Sequence, residues 1–193
     1  ECTVHDGHLV KVEGNLSSRT RGFVCEHGFA LRELVHSDER VQHPLIRRGD
    51  ETVCLLREDG SFPIRSHVLH EGIRFPLGVA SAGMAVLAYL SDAEIDAYLA
   101  RTDLVPSYGD EHTAAAVRAR VAITRADGYA LNPGLLVEGS WGMGAAVFDA
   151  DERPQWALSL TGIEQRFTAA RRGDLGPLLL RAAHELTTAL RRR

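Results

Sequence analysis

The stretch that most limits the fold is GYALNPGLLVEGSWGMGAAVFDADERPQWALSLTGIEQRF, residues 128–167. Two of its runs, GSWGMGAAVFD and QWALSLTG, flank DADERP, a cluster of turn formers, so they read as strand, turn and strand. Side chains alternate between the faces of a strand. Gly142, Gly144 and Ala146 therefore share one face, and Met143, Ala145 and Val147 the other. In the partner run Ala157, Ser159 and Thr161 fall on one face and Leu158 and Leu160 on the other. If the small faces align, two hydroxyls overlook space that the glycines leave open, which suits a small polar ligand. The plainer alternative is Ser and Thr on a solvated face with glycines at bulges.

The remainder of the chain supplies a core but few chemical motifs. Its 193 residues are enough for one large domain, or a domain with an appendage, at 25% charged and 45% hydrophobic residues. A formal net charge of -4 offers no basic footprint for nucleic acid, so DNA binding by this chain alone is not expected. No apolar run approaches the roughly 18 residues of a membrane span. The N-terminus also lacks the charged start and apolar core of an export signal, which makes the cytoplasm the expected location. Cys2, Cys25 and Cys54 are odd in number and widely spaced, against a disulfide framework and in favour of a reducing compartment. A chain that begins with Glu1 rather than Met is expected to be a piece of something longer.

Residues 1–50 differ in character from the rest of the chain. They hold His5, His8, His27, His36 and His43 together with Cys2 and Cys25. DGHLVKVEGN reads as a short strand between turns, and RGFVCEHGFALRELVHSDERVQHPLIRRGD as a loop, a short helix and an extended Pro-containing tail. Cys25, His27 and Cys2 suggest a metal site, but the paired cysteine spacing of such sites is missing and no metal is expected. These phrases resemble the N-terminal iron-sulfur segment of molybdopterin-dependent oxidoreductases over residues 6–50. That resemblance implies four cysteine ligands, of which Cys25 matches the fourth and Cys2 at best the third, so a truncated relic is the expectation.

From Glu51 onward regular structure is expected. ETVCLL reads as a strand, REDG as a turn, and SFPIRSHVL as a second strand. GIRFPLGVASAGMAVLAYL reads as a helix of about three turns with small residues on one face. Its start, near Ser81 and Ala82, offers free backbone N–H groups to an anion. SDAEIDAYLAR carries a capping box of Ser91 and Glu94. TAAAVRARVAITRADG is a helix stopped by Gly128, and a last helix runs from Asp174 to Arg192 with Leu175, Leu178, Leu179, Ala182, Leu186 and Leu190 on one stripe. His67 and His70 fall on opposite faces of the expected strand and form no ligand pair.

The phrases GIRFPLGVASAGMAVLAYL, RADGYALNPGLLVEG, GMGAAVFDADERPQWALSLTG and LGPLLLRAAHELTTAL, in this order and spacing, resemble the effector-binding domain of IclR-family bacterial transcriptional regulators. The resemblance runs from about Glu51 to Leu190, giving residues 51–193 as that domain and 1–50 as a separate segment. It implies an α+β fold, a GAF/profilin-like curved antiparallel sheet flanked by helices, here with an irregular N-terminal appendage. It further implies a small carboxylate or aromatic acid as effector, a homodimer or homotetramer, and no cofactor. DNA would be read by a helix-turn-helix domain, which no stretch of this chain resembles.

Carried over by position, the resemblance places backbone amides of Ser81 and Ala82, the strand position Gly142, and the hydroxyls of Ser159 and Thr161 in the effector pocket. Asn132 stands where many members have acidic residues, and Trp141 and Met143 flank the pocket with room for a larger or aromatic acid, with a core role for Trp141 as the equal alternative. A fragment of a molybdopterin oxidoreductase is the alternative, weakened by its missing cysteines. A hydrolase built on His184 and Ser159 lacks a GxSxG elbow, so no catalysis is expected.

Overall fold

The computed structural model describes residues 2–5, 8–12, 43–58 and 66–191. Strands β1 (Cys2–His5) and β2 (His8–Val12) pair antiparallel as a two-stranded sheet. The larger sheet has six strands: β3 (His43–Arg48), β4 (Glu51–Cys54), β5 (Arg74–Pro76), β6 (Ala130–Pro133), β7 (Ser140–Phe148) and β8 (Pro154–Ile163). Their order is β5-β4-β3-β8-β7-β6 and every pair is antiparallel. Around it lie helices α1 (Ser81–Ala88), α2 (Asp92–Arg101), α3 (Val105–Tyr108), α4 (Ala114–Asp127) and α5 (Ala169–Arg191). The outcome is the expected α+β architecture, an antiparallel sheet between two helical layers.

The sheet is buried on both faces, and residue size decides which helix covers which face. Met143, Ala145, Val147, Leu158 and Leu160 pack against Phe167 and against Leu179, Ala182, Ala183 and Leu186 of α5. On the other face Ala146, Ala157 and Leu45 pack with α1, whose eight residues are all buried. Register aligns the small faces: Gly142 opposes Thr161, Gly144 opposes Ser159 and Ala146 opposes Ala157. The expected open face is not open along its length. A Cβ on Gly144 would stand 2.5 Å from the Ser81 carbonyl oxygen and 2.8 Å from the Ala82 nitrogen. The first turn of α1 therefore lies backbone to backbone on β7, and the missing side chains are what let it approach.

Local signals set most helix ends. Ser91 caps α2 by accepting from the Glu94 amide, and the Glu94 carboxylate returns the bond to the Ser91 amide. Those bonds, first the one from the Ser91 side chain, hold the Glu94 carboxyl below its ordinary pKa. Thr113 caps α4, which ends on Gly128 at φ +82°. At α5 the sequence expectation fails by a turn, because the helix begins at Ala169 and passes through Gly173, Gly176 and Pro177. Gly176 is required there: the Tyr129 ring occupies the place of a Cβ, 2.6 Å away.

Two further expectations are corrected. The extended tail before residue 50 is strand β3, hydrogen-bonded between β4 and β8 in the middle of the sheet, with Pro44 near its start. The sheet thus extends N-terminally of Glu51. The second strand expected at SFPIRSHVL is absent from its described part, since residues 66–70 form no strand and 61–65 lie outside the described residues. The partner of β4 is instead the short edge strand Arg74–Pro76. Cys25, His27 and the phrases between residues 13 and 42 also lie outside the described residues. Among those described, no helix is long and apolar enough to cross a membrane.

The glycines provide a direct comparison. Gly144→Ala is expected to lower stability by roughly 1–3 kcal/mol in urea denaturation, because the methyl meets helix backbone that cannot yield. Gly173→Ala, where a Cβ meets nothing within 4 Å inside a helix, is expected to raise it by roughly 0.5–1 kcal/mol. A pH effect arises from His112, which is 2% exposed with Nδ1 2.9 Å from the Tyr108 carbonyl oxygen. Burial, and then the Arg120 guanidinium, push its pKa below the ordinary value. The unfolded chain therefore takes up that proton first, so the stability present above the unfolded pKa of about 6.5 is lost as pH falls toward the folded value. Melting temperature is expected to drop between about pH 7 and about pH 5.5 in the wild type, and His112→Gln to flatten that part of the profile.

Candidate functional site

Helix α1 is buried throughout, so its terminal backbone groups must find partners inside the protein. At the C-terminal end they do. Arg125 of α4 donates from Nε to the Ala88 carbonyl at 2.6 Å and from Nη2 to the Leu90 carbonyl at 3.0 Å. The segment leading into the helix is held just as firmly by its carbonyls. The Tyr98 hydroxyl donates to Leu77 O at 2.7 Å, Arg120 Nη2 to Gly78 O at 3.4 Å, and Asn132 Nδ2 to Val79 O at 2.8 Å. Desolvation of this Tyr98 hydroxyl, the largest effect on it, drives its pKa well above the ordinary phenol value. It remains a neutral donor. With three successive carbonyls held by side chains from α2, α4 and β6, the helix starts at Ser81 after Ala80, which supplies no side-chain cap.

That uncapped start opens on a small, half-open pocket. Ala80 and Ser81 form one wall, Gly142 and Thr161 the sheet floor, and Asn132 and Leu136 the side toward the β6–β7 connection. Val68 and Leu69 face them, with Ser140 and Trp141 at the edge. The hydroxyl of Ser140 lies 2.6 Å from that of Ser66. The Ser81 hydroxyl lies 3.0 Å from that of Ser159, which is wholly buried. The Thr161 hydroxyl is half-buried and has no hydrogen-bond partner among the described residues. A first-turn backbone with donors and no cap, together with the Thr161 hydroxyl, can receive an anion or another acceptor-rich group.

Of the residues singled out in the sequence, Ser81, Asn132, Trp141, Gly142 and Thr161 border this pocket. Ser159 and Ala82 lie beneath it, Ser159 bonded to Ser81 and the Ala82 amide pressed onto β7 at Gly144. Met143 does not reach it, because strand alternation turns its side chain into the α5 core. The Trp141 ring likewise packs on that side, 6.5 Å from the Phe167 ring and under the Arg172 guanidinium, 5.2 Å from its centre. Val68, Leu69, Ala80, Leu136 and Ser140 were not foreseen. Leu136 carried a signal, an apolar residue between Gly134 and Gly139, whose φ values of +76° and +75° bracket a tight loop. Val68 and Leu69 carried none, since their run looks like strand.

The geometry separates His184 from Ser159, as the serine faces α1 while the histidine is exposed on α5 across the sheet. Cys54 is a buried thiol whose pKa is pushed up to about 11, first by desolvation, which leaves it protonated and unreactive.

Comparison with known proteins fits this arrangement. The model of the bacterial transcriptional regulator IclR C-terminal region matches residues 25–188. The transcriptional repressor IclR of Escherichia coli is 30% identical over 162 residues, covering 82% of this chain and 59% of that protein. The HTH-type transcriptional regulator KipR of Bacillus subtilis is 26% identical over 142 residues, covering 73% of this chain and 56% of that one. The chain thus spans less than three fifths of the length of these two relatives. Among solved structures, the Agobacterium tumefaciens repressor BlcR superposes with a TM-score of 0.74 at 20% identity, covering 86% of this chain and 67% of that one. Thermotoga maritima IclR gives 0.72 at 20% identity, covering 91% and 79%. The match includes the second half of the segment that resembled an iron-sulfur module, and these relatives lend the oxidoreductase alternative no support. A family model that spans most of the chain, the 30% identity to a repressor and the shared fold lead to one assignment: the chain belongs to the IclR family of bacterial transcriptional regulators and carries its C-terminal regulatory domain.

Proposed function

We propose that this domain is an effector sensor whose ligand is a small organic acid, held with its carboxylate at the start of α1 and its body against Val68, Leu69 and Leu136. The observation that carries the reading is the contrast between the two ends of α1. Arg125 serves the C-terminal carbonyls, whereas the N-terminal end is buried, uncapped and open to a pocket beside a free hydroxyl. A carboxylate accepts from backbone N–H groups and hydroxyls alike and is favoured by the positive end of the helix dipole. Thr161 contacts it directly, and Ser159 acts by orienting Ser81. Trp141 is a neighbour whose ring is committed elsewhere.

The domain performs no chemistry of its own in this reading. A longer protein reads DNA through a helix-turn-helix outside this chain, works in the cytoplasm as a homodimer or homotetramer, and is switched when the acid favours one arrangement over another.

Native mass spectrometry of the purified chain is expected to show a dimer or tetramer, and a retained small organic mass would identify the ligand. Titration calorimetry with benzoate, pyruvate and propionate is expected to find at least one acid that binds. Thr161→Val should then weaken that acid by roughly 1.5–3 kcal/mol, the value of a hydrogen bond to a charged group. Met143→Leu, a volume-conserving change on the opposite face, should leave affinity as it was. Equal affinity for Thr161→Val and wild type would place the acid elsewhere.

A further inference from the structure

Asn132 borders the pocket, yet both ends of its amide are already committed. Nδ2 donates to the Val79 carbonyl at 2.8 Å, and Oδ1 accepts from the Leu135 amide at 2.9 Å. The side chain is 6% exposed, so water cannot readily replace either bond. The two bonded segments lead into two different walls of the pocket. Val79 leads into Ala80 and Ser81, and Leu135 into Leu136.

The second wall belongs to a short loop, whose Gly139 carbonyl also accepts from the Glu164 amide at 2.9 Å. Gly134 and Gly139, both at positive φ, bracket it. At its end the amide of Ser140, the first residue of β7, closes a turn onto the Val137 carbonyl at 3.0 Å, and Val137 itself is 52% exposed. The Leu135 amide ends on the same side-chain amide group that holds the lead-in to α1 at Val79. One rigid planar group therefore spans both walls. Asparagine is the residue that can do this at this length, because Asp lacks the donor and Leu lacks both ends.

We propose that Asn132 is a positioning residue that couples the two walls, so that the start of α1 and the loop 134–139 open together and occupancy of the pocket is transmitted to the surface at Val137. The coupling stands on the two hydrogen bonds alone. Its use in signalling rests on the acid-binding function proposed above. Asn132 is accordingly a strut between the walls and makes no ligand contact of its own.

Amide hydrogen exchange followed by NMR on the whole chain tests this without a ligand. The reporters are the Met84 amide, which closes the first turn of α1 onto Ala80 O at 2.9 Å, and the Leu135 amide. In the wild type both are expected to exchange through a common opening. Asn132→Asp keeps the acceptor for Leu135 and removes the donor to Val79. It should speed exchange at Met84 by about tenfold or more while Leu135 stays within about threefold of wild type. Asn132→Leu should speed both, with amides in α5 unchanged as the measure of global stability. If Asn132→Asp leaves Met84 as protected as in wild type, or frees both amides equally, the strut is refuted, even should Asn132→Leu fail to fold. Whichever of benzoate, pyruvate and propionate binds is expected to slow both amides in the wild type, and slowing at Met84 alone overturns transmission to the loop. If benzoate and the other acids bind nowhere, the acid-binding reading fails instead, and the ligand-free comparison still decides the coupling.

Discussion

The arrangement depends on one contact, the seating of the first turn of α1 on strand β7 at Gly144. A side chain there would have to occupy space held by the Ser81 carbonyl and the Ala82 amide. Because none exists, a helix with small residues along its length lies directly on the sheet, and its buried surface becomes the centre of the core. The same approach brings the Ser81 and Ser159 hydroxyls within bonding distance. Lift the helix by a methyl group and both the packing and the pocket floor change together.

Burying a whole helix creates a problem of polar satisfaction that its neighbours solve unequally. Arg125 takes up the terminal carbonyls, and Tyr98, Arg120 and Asn132 take up those of the lead-in. Donors at the helix start receive no such partner from a cap. A buried, uncapped terminus is costly in a structural helix and useful in a binding one, since the missing acceptor can come from a ligand. Stability and recognition therefore meet in the same turn of backbone.

The opposite layer shows the contrast. There Met143, Ala145 and Val147 meet the leucine and alanine stripe of α5 in an apolar core with no pocket role. A strand with two such different faces lets the sheet serve as scaffold on one side and as site floor on the other. Trp141 stands at the border, lining the edge with its residue while its ring joins the α5 side.

What the sequence determined by itself was local and periodic. Alternation put Gly142 with Gly144 on one face of their strand and Ser159 with Thr161 on one face of theirs, capping chemistry marked Ser91, and Gly128 stopped α4. These are effects of neighbours along the chain, so the order of residues is enough to state them. Tertiary structure decided what filled the empty face, since only the approach of a helix from elsewhere in the chain could place backbone against Gly144 and close Ser159 beneath Ser81. It also placed the 43–48 tail at the centre of the sheet and Val68 and Leu69 in the pocket wall, contacts between residues far apart in sequence. Asn132 shows the division most plainly. Its position beside the pocket was legible, but that its amide is spent on Val79 and Leu135 depends on where a distant carbonyl comes to rest.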